Sequence, residues 1–404
     1  MKFGSFVIAV ACAWTGLAAA EDRAVSFHDV LRVALEKSPD VGKIAASQSG
    51  RMADATSTEV KQNPLLDAEY GAPTNGMHEK DEFGLKVAQP LRPSDFGART
   101  RLAALIRDSA TLERKVELLE FGQNLAVTYA KAWAVQERRG ILEKARRLAE
   151  DIFAKLREGA AKGFLAEGDA AVFEGEVALL ATDIVGAEAD RKAAVAELIK
   201  VSGADLSGAR LLPPPEARLP STADVLAKAR GGELPAQRRA ELAAKIATRQ
   251  VELARLDSYP RFGPSVGYSR TDAGDRQVTF GFSVELPFFD RNQAGRMRAL
   301  GEEQAARRLQ EYATSGRLEE AAVLLFDAAT ALTTQRRKFE REVIPARERA
   351  LRGFRKQFDA GQGTPFLVAQ AQRELAESRL RALDLWSLER AALAQLSILL
   401  GNEL

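Results

Sequence analysis

Few residues of this 404-residue chain are of the types that catalyse reactions or ligate transition metals. Beyond residue 20 the chain has two histidines, His28 and His78, and no cysteine. No phosphate-binding glycine loop occurs, and neither do the G-x-S-x-G and H-E-x-x-H patterns of hydrolases. Carboxylates are abundant, but on helices they are expected to form salt-bridged faces. The sequence therefore predicts no enzyme, no cofactor and no metal site.

In four segments of the chain, polar residues alternate with bulky apolar residues. This alternation is the period-2 signature of strands that have one apolar and one polar face. The four segments that show it lie at about 64–72, 82–90, 261–270 and 277–287. The charged residues on their polar faces are Asp67, Glu69, Lys86 and Glu285. A face that carries these charges is expected to be in contact with water.

The strands fit two architectures. One is a half-buried sheet covered by a helix, and the other is a membrane β-barrel with lipid outside and water inside. The charged polar face and the bulky, aromatic apolar face favour the barrel, and eight to ten residues match the length of a membrane-crossing strand. Four strands cannot close, and an open edge in lipid leaves peptide groups unpaired. We therefore expect two, three or four chains to share one barrel.

The chain is predicted to be an internal repeat. Pro64 and Pro260 are 196 residues apart, and Pro90 and Pro287 are 197 apart. Three glycine pairs are each 198 apart: Gly97 with Gly295, Gly163 with Gly361, and Gly203 with Gly401. The predicted divisions are a first repeat at 21–203, a proline-rich linker at 204–220 and a second repeat at 221–404. Each repeat reads as a lead-in helix, two strands, a long helix, a glycine turn and another long helix.

The helices are predicted from long segments rich in Ala, Leu, Glu and Arg. The lead-in helices are expected at about 26–61 and 221–257. The long helices are expected at about 99–157, 169–200, 296–358 and 365–400, with a kink at Pro345. A helix of about 60 residues rises about 90 Å, which is far longer than a globular core.

The N-terminus reads as a secretory signal at residues 1–20. Lys2 precedes an apolar segment, and small residues at Ala18 and Ala20 fit cleavage after Ala20. Lipid attachment at Cys12 and a buried N-terminal helix are the alternatives. No later stretch has the roughly 18 apolar residues of a membrane helix. The 58 basic and 56 acidic residues nearly balance, which argues against binding nucleic acid through a basic surface.

The signal, the duplicated halves and the segment "LPFFDRNQAG" (286–295) together resemble the TolC-type outer-membrane efflux family. That segment is most similar to the CzcC-like branch, which serves heavy-metal efflux pumps. The segments "KGFLAEGDA" (162–170) and "FDAGQGTPFLVAQAQ" (358–372) resemble the two helix-turn-helix tips of the family. The resemblance covers nearly the whole chain after the signal.

The resemblance implies a mainly α-helical protein with a membrane β-barrel. Three chains would share a twelve-stranded barrel in outer-membrane lipid and a twelve-helix α-barrel in the periplasm. The homotrimer would be a passive exit duct that works with a periplasmic adaptor and an inner-membrane RND pump, and heavy-metal cations are the expected substrates. The alternatives are a duct for drug efflux or type I protein secretion, and a periplasmic coiled-coil adaptor or scaffold.

The resemblance also assigns candidate site residues. The adaptor-docking candidates at the tips are Gly163, Phe164, Leu165, Gly361, Gln362 and Thr364. Both glycines also suit helix C-caps. Glu167 and Asp169 are candidates for a cation-selecting pore constriction, or else charges that suit a helix N-terminus. The second tip departs from the family pattern, because Leu367 and Gln370 stand where some members carry aspartates. Asp67, Glu69, Lys86 and Glu285 would line the barrel lumen.

Overall fold

The structure is a computed structural model that describes residues 23–71, 82–162, 167–216, 218–270 and 275–402. The predicted signal, His78 and the tip residues Gly163, Phe164 and Leu165 lie outside these residues. The described helices are α1 Phe27–Lys37, α2 Pro39–Glu59, α3 Ala98–Ala161, α4 Glu167–Ser202, α5 Thr222–Arg230, α6 Pro235–Leu256, α7 Gln293–Thr314, α8 Arg317–Lys338, α9 Ile344–Asp359 and α10 Pro365–Leu400. The described strands are β1 Ala24–Val25, β2 Leu65–Gly71, β3 Glu82–Ala88, β4 Arg210–Leu211, β5 Arg261–Arg270 and β6 Arg276–Glu285.

The chain divides into two compact units, and each takes segments from both predicted repeats. The first unit comprises Met1–Ser38, Thr128–Glu216 and Arg347–Leu380. The second unit comprises Pro39–Val127, Ala217–Ala346 and Arg381–Leu404. The division into two sequence repeats is a separate statement and stays a prediction.

The first unit is a helical bundle with a small parallel strand pair. Its core joins residues of α3, α4, α9 and α10, among which Leu156 and Phe173 are fully buried. Strands β1 and β4 pair in parallel. The Tyr129 hydroxyl lies 2.8 Å from the carbonyl oxygen of Val25 and 2.7 Å from that of Leu212, and burial raises the pKa of Tyr129 to about 12. This hydroxyl therefore ties the strand pair to α3.

The second unit contains a four-stranded antiparallel sheet in the order β2-β3-β5-β6. Its helices include α2, α5, α6, α7 and α8. A small apolar core joins α5, α8 and the end of α10, where Val225, Ala322 and Leu396 are buried. Ser221 caps the N-terminus of α5 by accepting a hydrogen bond from the backbone nitrogen of Asp224.

Several helices are shorter than the sequence predicts. The lead-in at 26–61 breaks at Pro39, because the residue before a proline avoids helical geometry. The lead-in at 221–257 breaks after Gly232, which has a positive φ of 70°. The helix expected at 296–358 is interrupted at Gly316, whose φ is 81°. It then widens into a π-helical turn at Phe339–Val343, which ends two residues before Pro345, a residue that lacks a backbone donor.

Candidate membrane-facing and pore-lining surfaces

The apolar face of the four-stranded sheet is uncovered by the described residues. Strand register places Leu66, Val87, Val266 and Phe280 side by side across the four strands. Each of these side chains is at least 44% exposed, and Phe280 is 85% exposed. The next row, formed by Ala68, Leu85, Tyr268 and Val278, is likewise exposed. The covered-sheet interpretation is therefore wrong for the part of the chain that the structure describes.

The opposite, polar face carries all four predicted lumen residues. Asp67 pairs across the ladder with Lys86, and Glu69 pairs with Gly84. At the other side of the sheet Glu285 pairs with Arg261, whose guanidinium nitrogen lies 3.6 Å from the carboxylate. Because directly paired residues lie on the same face, the structure brings these charges onto one surface of the sheet.

The polar face of β5 and β6 is crowded by small residues. Gly267 faces Thr279, and a β-carbon on Gly267 would lie 2.7 Å from the Thr279 hydroxyl oxygen. Gly281 faces Ser265, where a β-carbon would lie 2.7 Å from the hydroxyl oxygen. These glycines leave room for the hydroxyl groups of the neighbouring strand on the polar face. The side chains of the apolar face are not crowded in this way and are exposed.

Both ends of the apolar face carry aromatic residues. At the hairpin tips, one row joins Tyr70, Phe83, Arg270 and Arg276. Near the helix end of the sheet, the exposed aromatic side chains include Phe96, Tyr259, Phe288 and Phe289. Phe289 is 96% exposed. Aromatic girdles at both edges of an apolar band are typical of membrane barrels.

The sheet has two open edges. Strands β2 and β6 are its outer strands, and neither has a ladder partner on its outer side among the described residues. An edge of seven or ten residues without a partner invites pairing with another chain.

The segment after β6 turns through Asn292, which has a left-handed φ of 55°. Asn292 stands at the N-cap position of the following helix, but its side chain does not cap that helix. Asp290 instead accepts a hydrogen bond from the backbone nitrogen of Asn292 at 2.8 Å, and the Asn292 amide donates to the carbonyl of Ala254. Gly295 is required because a β-carbon there would collide with the Asn292 side chain.

The second predicted tip lies in the first unit, where backbone hydrogen bonds cap the C-terminal end of α9. Gly361 has a φ of 73°, and the backbone nitrogen of Gln362 donates to the carbonyl of Gln357 at 2.9 Å. These features form a Schellman-type cap, so the C-cap expectation for Gly361 is confirmed. Gln362 and Thr364 are exposed, as docking candidates must be.

One exposed residue of this tip was not among the docking candidates predicted from the sequence. Phe366 is 65% exposed in the first turn of α10, beside the exposed Leu367. A large apolar side chain directly after Pro365, next to the polar segment that ends at Thr364, was the available signal.

The ends of α3 and α9 are joined by an ion pair. Lys155 donates to the Asp359 carboxylate at 2.8 Å, and this hydrogen bond holds the pKa of Asp359 below its usual value. In the first tip α4 begins at Glu167 and includes Asp169 in its first turn, and both side chains lie outside the described structure.

Two features are absent from the described residues. No group of three or more histidine, cysteine, aspartate or glutamate residues is placed to hold a metal ion. No described helix is both long and apolar enough to cross a membrane.

Residues 233–402 match the family described as Outer membrane efflux protein. The chain is also 31% identical over 173 residues to the cobalt-zinc-cadmium resistance protein CzcC of Cupriavidus metallidurans. That alignment covers 42% of this chain and 40% of the relative, so the chain spans about two fifths of the curated relative it matches. The resemblance to outer-membrane efflux proteins is thereby confirmed.

Solved structures with the same fold cover nearly the whole chain. The chain is similar to CusC, described for its transmembrane channel formation, with a TM-score of 0.73 and 17% identity over 93% of this chain and 91% of CusC. It is similar to the outer membrane protein VceC of Vibrio cholerae, with a TM-score of 0.74 and 18% identity over 93% and 96% of the two chains. The matched family is one of efflux proteins and CusC is described by a transmembrane channel, and neither is an enzyme.

Proposed function

We propose that this chain is one subunit of a homotrimeric exit duct in the outer membrane. The duct conducts solutes passively from the periplasm to the outside, as the outer component of a tripartite RND-type efflux system. The observation that carries the proposal is the ordered apolar face of the sheet, which no described part of the chain covers. An apolar surface this extensive requires a partner, and lipid is the partner that an outer-membrane efflux domain implies.

The dimensions of the apolar face suit a bilayer. The ten residues of β6 rise about 3.3 Å each, so at a tilt of about 40° they span about 25 Å, the height of the apolar band of membrane barrels. The row with Arg270 and Arg276 would lie at the outer boundary, and Phe288 and Phe289 at the periplasmic boundary.

The two open edges support a shared barrel. Strands β2 and β6 would pair with neighbouring copies, since unpaired peptide groups cost several kcal/mol each in lipid. Three chains of four strands give twelve, an even number within the range of known barrels. The crowded polar face would then be the inner face, and Asp67, Glu69, Lys86 and Glu285 would line a water-filled lumen.

Heavy-metal cations are the substrates we propose. Support comes from the 31% identity to a cobalt-zinc-cadmium resistance protein and from the segment 286–295. Selection of the metal would fall to the pump and the adaptor, which would dock at the tips around residues 163–165 and 361–364. Glu167 and Asp169 would form the cation-attracting constriction.

Membrane fractionation followed by mass measurement in detergent tests the duct itself. We expect the expressed protein in the outer-membrane fraction, with the mass of about three chains. A monomer in the soluble periplasmic fraction would overturn the proposal and favour a periplasmic adaptor or scaffold.

A deletion strain tests the substrate. Loss of the gene should increase sensitivity to cobalt, zinc or cadmium, and a plasmid copy should restore resistance. Sensitivity to drugs alone, with metal resistance unchanged, would reject metal efflux while leaving the duct in place. In planar bilayers, Glu167→Gln with Asp169→Asn should lower the preference for cations, and an unchanged preference would remove these residues from the constriction.

A further inference from the structure

Within the described sheet, the apolar face carries charge in one row only. Arg270, the last residue of β5, is paired directly with Arg276, the first residue of β6. Because successive side chains of a strand point to opposite faces, both arginines lie on the same face as Phe280. The rows between this pair and the helix end hold no charged residue, and the last of them pairs Phe262 with Val284.

Neither guanidinium group of this pair is neutralised within the chain. No ion pair or side-chain hydrogen bond joins Arg270 or Arg276 to another residue of the described ranges, and both side chains are exposed. The β-carbons of directly paired residues lie about 4.5–5.5 Å apart, and like charges at such positions destabilise a sheet. An anion bound by both arginines would replace this repulsion with attraction.

The rest of the row is aromatic. Tyr70 of β2 and Phe83 of β3 continue the row of Arg270 and Arg276, and they are 68% and 41% exposed. Arginine also has an apolar stem, which extends the apolar band while its charged end lies at the boundary of the band. A ligand of this row is therefore expected to be amphipathic, with apolar chains that continue into an anionic headgroup.

The guanidinium groups favour phosphate as the anion. The five N–H donors of an arginine form a planar fork that binds two phosphate oxygens at once, and such charge-assisted hydrogen bonds are among the strongest in proteins. The pair lies at the hairpin end of the sheet, which is the outer boundary of the apolar face in the proposed duct. The anionic lipid at that boundary is the phosphorylated glycolipid of the outer leaflet.

We propose that Arg270 and Arg276 bind the phosphate groups of a phosphorylated glycolipid in the outer leaflet of the outer membrane. The acyl chains of the lipid would lie along the apolar rows that include Tyr268 and Phe280. One chain supplies the whole site, so each subunit of a trimer would have its own. The inference rests on the proposed outer-membrane duct and names the lipid that the duct binds.

Lipid binding to the purified protein in detergent tests the site. The probes are diphosphorylated lipid A and the same lipid after its phosphates are removed, and the rise in melting temperature with lipid concentration gives the apparent affinity. We expect the native chain to prefer the phosphorylated lipid. Arg270→Gln with Arg276→Gln should lower the affinity for that lipid about tenfold or more and leave the affinity for the dephosphorylated lipid unchanged.

Two further variants separate this site from a general effect of charge. Arg291→Gln with Arg296→Gln removes two exposed arginines at the helix end of the sheet and should bind the phosphorylated lipid like the native chain. Arg270→Lys with Arg276→Lys keeps the charges but loses the fork, so its affinity should be intermediate. An equal loss from the helix-end variant, or no loss from the glutamine variant at the hairpin end, would overturn the proposal.

Stability without lipid separates a binding role from a structural one. In lipid-free detergent, Arg270→Gln with Arg276→Gln should be at least as stable as the native chain, because the repulsion between the two cations is gone. A marked loss of stability there would mean that the arginines hold the sheet together, and it would contradict a ligand site.

The remaining outcomes distinguish the lipid from free phosphate and from failure of the proposed function. Inorganic phosphate that stabilises the native chain as well as lipid A does would make the pair a free-anion site and overturn the lipid assignment. A trimer in the outer membrane that does not distinguish the two lipids would overturn the site and leave the duct standing. A soluble periplasmic monomer would reject the duct, and the site with it.

Discussion

Two phenylalanines of this chain are in opposite surroundings. Phe173 of α4 is fully buried in the helical core of the first unit, whereas Phe280 of β6 is 85% exposed on the sheet of the second unit. In water both side chains would be driven into a core. The helices of the first unit therefore form a core of their own. The apolar side chains of the sheet, in contrast, point away from the described part of the chain.

The largest expected effect lies in the helical core. Phe173→Ala removes a fully buried ring and leaves a cavity, so we expect the free energy of unfolding to fall by about 3–5 kcal/mol. Thermal unfolding of the detergent-solubilised protein measures the change. The control is Val172→Ala, whose side chain is 54% exposed and should cost less than about 0.5 kcal/mol. Equal losses for the two variants would mean that this core is not as packed as the structure has it.

The next largest effect is expected on the apolar face of the sheet, where a charge tests whether that face lies in lipid. Phe280→Arg places a cation in the middle of the apolar face, which costs about 2–4 kcal/mol if that face lies in lipid. We expect a sharp drop in the fraction of folded protein in the outer membrane, measured by resistance of the oligomer to denaturant at room temperature.

Gln277→Arg is the matched control for the charge. Gln277 lies in the same strand but on the polar face, in the row with Glu69. It should assemble nearly as well as the native chain. If Phe280→Arg assembles equally well, the apolar face is not in lipid.

A smaller effect is expected where the polar face is crowded. Gly267→Ala brings a methyl group to 2.7 Å from the Thr279 hydroxyl oxygen, so the strands must shift, at about 1–3 kcal/mol. Gly84→Ala is the control, because its nearest neighbour would be the Glu69 β-carbon at an ordinary 3.7 Å. Thermal unfolding measures the loss of stability in each of the two variants. A similar loss from both would contradict the close approach of β5 and β6.

Periodicity was enough to predict the sheet. The four strands lie within two residues of their predicted bounds, because alternation of apolar and polar residues identifies both the strand and its faces. The sequence could not show which face is uncovered, because that depends on where the helices lie.

Helix continuity was predicted less well. The predicted helix at 365–400 is confirmed as α10, since proline begins it and glycine ends it. The helix expected at 296–358 is broken at Gly316, because a single glycine within a helical pattern does not reveal from sequence whether it adopts a positive φ. The roles of the tip and lumen residues depend on neighbouring chains, and they stay predictions.

The smallest effect concerns the ion pair near the tip, where charge rather than apolar burial joins two helices. The hydrogen bond from Lys155 lowers the pKa of Asp359, so the folded state favours the ionised carboxylate. The pair therefore stabilises the protein above the unfolded pKa of about 3.9, and the gain is lost as the pH falls through the lower folded pKa. Asp359→Asn should reduce the melting temperature slightly at pH 7. It should not reduce it at a pH below the folded-state pKa of Asp359, where the carboxyl group is already protonated.

Lys155→Gln tests whether Lys155 is the cause. It should reproduce the loss at pH 7, and the double variant should lose no more than either single variant, because both remove the same contact. Additive losses would mean that the two side chains act independently. In that case the apolar residues that α3 and α9 contribute to the core, and not this ion pair, would join the two helices near the tip.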